Sequence, residues 1–210
     1  MGDSTQQYHL GELKVALDPS HPSNILPPAL PESHTVLDIG CGAGQTLIAA
    51  YPDRVSFGID VDAAALKLGR SLTRHVQFTC AKAEALPYSD ARFDLVVARV
   101  SLPYTNLRKS FQEIRRVLKK GGALWITLHP FSMVWSHAQS SRSYKGWIYF
   151  SYILLNGALF HLTRHQIPYL GFRYESFQTE SGVARALRQF GFEDISIQRG
   201  RYFLVTARAK

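Results

Sequence analysis

The run VLDIGCGAGQ, Val36 to Gln45, limits the fold more than any other stretch of this chain. Apolar, β-prone residues lead into Gly40, Gly42 and Gly44, which alternate with the small residues Cys41 and Ala43. Glycine lets a chain turn sharply and lets a ligand approach the backbone closely. The pattern Thr46–Tyr51 that follows is helical in type, and a helix start presents N–H groups with no partner of their own. Strand, glycine turn and helix in succession predict a β-α unit of an open sheet, with a ligand seated over the turn.

The rest of the chain repeats that rhythm. Candidate strands are Thr35–Ile39, Val55–Asp60, Val76–Cys80, Phe93–Ala98 and Ala123–Leu128. They are nearly continuous apolar runs, as strands covered on both faces should be. Asp194–Gln198 and Tyr202–Ala207 flank Arg199-Gly200-Arg201, a turn suited to a hairpin. Between strands, Leu107, Phe111, Ile114 and Leu118 share one helical face, with Asn106 as cap and Lys119, Lys120 and Gly121 as a closing signal. Val183, Leu187 and Phe190 mark a further helix before Gly191. The prediction is an α/β fold with a mostly parallel sheet and an antiparallel edge.

One segment departs from the rhythm. From His129 to Phe177 there is no clear strand, yet the segment holds 12 of the 25 aromatic residues. Placed after the fifth strand, it would overhang the carboxyl edge of the sheet, where open α/β folds bind ligands. It is expected either to form a lid over an apolar pocket or to be one more packed helix. Its apolar part is too short to span a bilayer, though a helix of this kind can lie on one.

Composition sets the outer limits. A length of 210 residues with 46% hydrophobic and 19% charged residues suits one soluble domain. Cys41 and Cys80 both lie in apolar segments and are expected as small core residues in a reducing, cytoplasmic setting. MGDSTQQYHL shows no secretory pattern, and Gln6 stands where a myristoylation motif needs Ser or Thr. The net charge is +8, and residues 131–210 contribute most of it, with ten Lys/Arg against four Asp/Glu. Such a basic third suits solvated helix faces, or an anionic partner such as nucleic acid.

The acids around the glycine turn narrow the ligand. A dinucleotide fingerprint would need glycine where Gln45 stands, and Asp38 would repel a pyrophosphate. Asp38 is better matched to an ammonium group. Asp60 ends the second strand in GIDVD, twenty residues past Gly40, a spacing that lets a carboxylate accept from ribose hydroxyls. An amino acid joined to a nucleoside has both features, and S-adenosylmethionine has that shape.

VLDIGCGAGQ, then GIDVD, AEALPYSDARFDLVVARVSL and LKKGGALWITLHP, resemble a class I S-adenosylmethionine-dependent methyltransferase. Within that superfamily the chain is most similar to the group named after the ubiquinone/menaquinone biosynthesis methyltransferases. The likeness covers about 35–130 and resumes at FQTESGVARALRQFGFEDISI. It implies a doubly wound, Rossmann-like sheet of seven strands, with S-adenosylmethionine as cofactor and S-adenosylhomocysteine as product. It also implies one domain over 1–210: a cap segment at 1–34, a cofactor-binding core at 35–128 and 178–210, and a lid at 129–177. Asp38, Gly40, Cys41 and Gly42 would line the methionine half, with the Arg99 carbonyl facing its amino group. Asp60 would hold the ribose, Val61 would lie beside the adenine, and Ala83 would offer its N–H to the ring.

Two positions depart from the family pattern. Relatives commonly carry an acid where Lys82 stands, accepting from the adenine amino group, and lysine has no acceptor. Loss of that bond costs about 1–3 kcal/mol, and Glu84 is the expected replacement. Lys120 stands where proline is usual, a surface exchange of small consequence.

Methyl transfer from a sulfonium is an in-line displacement that depends chiefly on positioning, so no catalytic dyad is required. His129, at the end of the fifth strand, is the candidate base, and Tyr104, after the fourth, could direct its hydroxyl at the acceptor. His161 and His165 would share a face if both were helical, but nothing supplies a third metal ligand, so no metal site is expected. The expected acceptor is a small aromatic or hydrophobic molecule. The alternatives are an RNA or protein acceptor held by the basic C-terminal third, or cofactor binding without catalysis. Nucleic acid is disfavoured because an Asn/Asp-Pro-Pro-aromatic run is missing after strand four, where the chain reads ARVS.

Overall fold

The computed structural model describes residues 2–132, 134–135, 143–171, 173–200 and 203–210. The elements in chain order are α1 (Gly2–Leu17), β1 (Val36–Ile39), α2 (Gln45–Ala50), β2 (Ser56–Asp60), α3 (Ala63–Leu72), β3 (Val76–Cys80) and β4 (Phe93–Arg99). A 3-10 turn at Leu102–Tyr104 follows, then α4 (Leu107–Val117), β5 (Leu118–Leu128), α5 (Tyr144–Thr163), α6 (Glu180–Gln189), β6 (Phe192–Arg199) and β7 (Phe203–Ala209).

The seven strands form one sheet in the order β3-β2-β1-β4-β5-β7-β6. β1 to β5 run parallel, and β7 lies antiparallel between β5 and β6. This is the expected doubly wound α/β sheet with an antiparallel hairpin. The strand order reverses between β1 and β4, so the carboxyl ends of β1, β2 and β4 open on one crevice.

Alternation along the central strands separates two apolar layers. Leu37 and Ile39 of β1 face the layer built with Phe111 and Ile114 of α4 and Val183 and Leu187 of α6. Val36 faces the opposite layer, with Leu47 of α2, Leu66 of α3 and Trp125 of β5. Burial on both faces explains the apolar runs, since every second residue of a strand meets a different layer.

Some boundaries moved. Lys119 to Gly121 belong to β5 rather than to the end of α4, because Leu118 already pairs with Phe93 in the sheet. Asn106 does cap α4, its side chain accepting from Lys109 N. α5 ends with Arg164 in the left-handed region, at φ +61°, which puts His165 off the helix. The shared face expected for His161 and His165 is therefore lost: His161 Nδ1 meets Thr179, and His165 meets Arg108. Cys41 is buried, but Cys80 is exposed because β3 is an edge strand. Arg201 and Tyr202 of the expected hairpin lie outside the described residues, as do Met133, residues 136–142 and Phe172 of the aromatic segment. No helix among the described residues is long and apolar enough to cross a membrane.

Candidate functional site

The glycine turn is closed by its own backbone and by a neighbouring serine. Gly40 N and Cys41 N both donate to Ile59 O, at 2.8 and 2.9 Å, which ties the turn to β2. Gly40 has φ +72°, and a Cβ there would stand 2.2 Å from Ser101 Cβ. Glycine is thus required twice over, by backbone conformation and by space. Ser101 in turn donates from Oγ to Ile39 O at 2.5 Å, joining the ends of β1 and β4. Between them Val100 has φ +59°, a strained conformation for a β-branched side chain of the kind found at functional sites. Its N–H donates to Thr127 Oγ1 at 2.9 Å, which helps hold the strain.

Asp60 links the two loops at the crevice. Its Oδ2 accepts from Gly42 N at 2.8 Å and its Oδ1 from Asp62 N at 2.9 Å. A carboxylate has about four acceptor positions, so both oxygens retain capacity for ligand hydroxyls. Asp38 is placed differently from expectation. It is buried within β1 on the side of Val36 and does not line the crevice. Burial pushes its carboxyl up to about 8, with the Arg99 guanidinium pulling down and Asp60 pushing up. The acid read from the sequence as a standing negative charge is therefore largely protonated at neutral pH. Its Oδ1 has no hydrogen-bond partner.

Two adjoining clefts meet at this turn. The larger, about 720 Å³, runs from Gly40 and Asp60 past Val61, Lys82, Ala83 and Glu84 to Asn106 and Tyr174. The smaller, about 290 Å³, lies between the glycine turn, Arg99 and α1. Gly40, Asp60, Ser101 and Tyr104 line both. Eight of the nine expected binding residues thus surround one pair of clefts, and Asp38 is the exception. Glu84 is partly committed, since its Oε1 accepts from Asn106 N at 2.8 Å.

The residues of three contributions were not foreseen. Within the segment expected as a cap, α1 lines the small cleft with Tyr8, His9 and Glu12. Glu12 pairs with the Arg99 side chain at 2.6 Å, and His9 Nδ1 meets Gln45 Nε2 at 2.7 Å. The spacing of Tyr8 and Glu12 puts them on one helical face, yet nothing in the sequence says what that face meets. Ser101 is the second, hidden in an unremarkable VSLPY. The third is Arg173, which lies over the rings of both Tyr104 and Tyr149, 5.6 Å from each centroid.

The candidate catalytic pair is brought together. The Tyr104 and His129 rings are in edge-to-face contact. His129 is buried; its backbone N–H donates to Gln178 Oε1 at 3.0 Å and its backbone carbonyl accepts from Gln178 N at 2.9 Å. Burial holds the Tyr104 phenol above its usual range, with Glu175 pushing it further and Arg173 opposing. A phenol of that kind stays protonated at neutral pH and offers a hydrogen bond. Tyr149 donates to Glu175, which also meets Arg173 at 3.4 Å, so the returning segment is stitched to α5 directly above the pair. Among the described residues no cluster of His, Cys, Asp or Glu could hold a metal.

The comparisons agree with this architecture. Residues 37–126 match the family model described as a methyltransferase domain. The chain is similar to malonyl-[acyl-carrier protein] O-methyltransferase of Herminiimonas arsenicoxydans, at 28% identity over 83% of this chain and 58% of that protein. It is also similar to demethylmenaquinone methyltransferase of Chlorobaculum tepidum, at 27% identity over 81% of this chain and 68% of that protein. The chain spans about half the length of the first curated relatives it matches. Among solved structures, the S-adenosylmethionine-dependent methyltransferase from Mesorhizobium loti superposes with a TM-score of 0.61 at 18% identity, covering 85% of this chain and 93% of that one, a likeness of fold.

Proposed function

We propose that this chain, whose residues 37–126 match a methyltransferase domain, is a class I S-adenosylmethionine-dependent methyltransferase that transfers a methyl group to a small aromatic or hydrophobic acceptor held beneath the segment 129–177. The observation that carries this reading is the pair of clefts joined at Gly40, Asp60, Ser101 and Tyr104. A nucleoside fits the larger and an amino-acid moiety the smaller, with the reacting centre at the junction. The fit is also chemical. Asp60 retains acceptor capacity on both oxygens at the junction of the two clefts, where ribose hydroxyls would donate.

Bound there, S-adenosylmethionine would supply a methyl on a positively charged sulfur, which leaves as the neutral thioether of S-adenosylhomocysteine. The chain's own residues do the rest. Asp60 would accept from the ribose, and Val61, Ala83 and Glu84 would border the adenine. Gly40, Cys41, Gly42 and the Arg99 carbonyl would border the methionine part, with α1 as cap. Tyr104 would direct its hydroxyl at the acceptor, and His129 would hold that ring in place or take a proton. Holding nucleophile and methyl in line can lower the barrier by about 7–11 kcal/mol.

Gly171 and Tyr174 of the segment line the large cleft, which supports a small acceptor. Several cations of the C-terminal third are occupied within the fold: Arg199 with Glu180, Arg185 with the His161 carbonyl and Arg208 with the Gly121 carbonyl. That weighs against an RNA surface. Two unpaired cysteines suit a reducing cytoplasm. Calorimetry with S-adenosylmethionine, followed by turnover on a panel of phenols, quinols, thiols and carboxylates, tests the reading. Binding with no methylated product from any of them would favour a non-catalytic role, and no binding would overturn the assignment.

A further inference from the structure

We propose that the outer face of α5 seats the protein on an anionic lipid bilayer. α5 is apolar on all sides. Its inner face, with Phe150, Ile153 and Phe160, is buried against the rest of the molecule. Its outer face carries Tyr144, Ile148, Leu155 and Leu162, at spacings that keep them on one side, with Trp147 beside them. These five residues are between 51% and 73% exposed. A helix apolar all round is normally buried all round, and among the described residues nothing covers the outer face of α5. The helix cannot itself cross a bilayer, which leaves the interfacial position.

Charge selects the occupant. Between His129 and Tyr174 the chain has no Asp or Glu. Lys145 lies in the first turn of α5, and the half-buried Arg164 is its C-cap. Cations near the ends of an apolar stripe suit lipid phosphates, and Tyr144 and Trp147 are the residue types that favour the headgroup boundary. A second copy of the chain is the poorer occupant, since facing α5 helices would bring like charges together with no carboxylate on that face to pair them. The lid also lines the large cleft through Gly171 and Tyr174, so docking would set the cleft near the membrane surface.

The test is flotation of the protein without cofactor, so it does not depend on methyl transfer. Vesicles of phosphatidylcholine mixed with phosphatidylglycerol are compared with phosphatidylcholine alone. The wild-type protein is expected to float with the anionic vesicles, with a blue shift in tryptophan emission that Trp147→Phe reduces. The exposed pair Leu155→Ser and Leu162→Ser should lower partitioning at least about tenfold with an unchanged melting curve. Lys145→Glu should weaken binding to the anionic vesicles only. Failure to float at low salt would overturn the proposal. So would a dimer in solution that the Leu155→Ser, Leu162→Ser protein cannot form.

Discussion

The Tyr104 ring stands edge-on to the His129 imidazole, with centroids 5.1 Å apart and planes at 86°. The two residues come from the turn after β4 and from the end of β5, and they meet because those strands are parallel neighbours with their carboxyl ends on the same crevice. Arg173 lies on the ring of Tyr104, so the sheet and the segment after β5 converge on one phenol.

Replacing Tyr104 with Phe keeps the ring and removes the hydroxyl. If that hydroxyl positions the acceptor, kcat should fall about ten- to a hundredfold while the cofactor dissociation constant stays the same. Steady-state kinetics beside calorimetry separates the two. A rise in KM alone would leave the tyrosine as a wall of the pocket.

Asp60→Ala removes two loop hydrogen bonds together with the proposed ribose contact. Cofactor affinity should drop at least about tenfold, and the melting temperature should fall by a few degrees as Gly42 N and Asp62 N lose their acceptor. An unchanged dissociation constant would count against the site as drawn.

Asp38 sets a pH dependence of known sign. Its carboxyl is raised to about 8 in the folded protein, by burial first, against an ordinary value of 3.8. Between those values the unfolded chain has released the proton and the folded chain retains it. Stability from this group is therefore complete below about pH 4 and declines as pH rises to about 8, by at most about 1.4 kcal/mol per pH unit. Asp38→Asn should flatten that decline in chemical unfolding measured across the window. At pH 7 an incoming ammonium group would favour the ionised form, so cofactor binding should release a proton, seen as a buffer-dependent heat in calorimetry.

Lys82 lines the large cleft, at the position where the family resemblance implies an acid. One oxygen of Glu84 is held by Asn106 N, so its ability to replace that acid is reduced. Lys82→Asp should tighten cofactor binding about tenfold. Weaker binding would show that the ammonium group itself contacts the ligand.

The sheet was legible because its signals are local. Apolar runs, glycine punctuation and the Asn106 cap each act over a few residues, and a strand buried on both faces has little freedom in composition. The place of Asp60 at the crevice was legible too, because a fixed β-α-β geometry converts a spacing of twenty residues into a position. Asp38 was found and its charge state was not. A carboxyl looks the same in a sequence whether its strand leaves it in water or encloses it, and only the enclosing atoms decide the cost of ionising it.

The same division holds for the whole molecule. By itself the sequence determined the α/β architecture, the glycine turn and the place of Asp60 at the crevice. Only the tertiary structure decided that α1 covers the small cleft, that Ser101 locks Gly40, and that Arg173 rests on Tyr104. Glu12 and Arg99 are 87 residues apart in the chain, and so distant a contact depends on how packed layers dock, for which no short stretch of residues carries a signal.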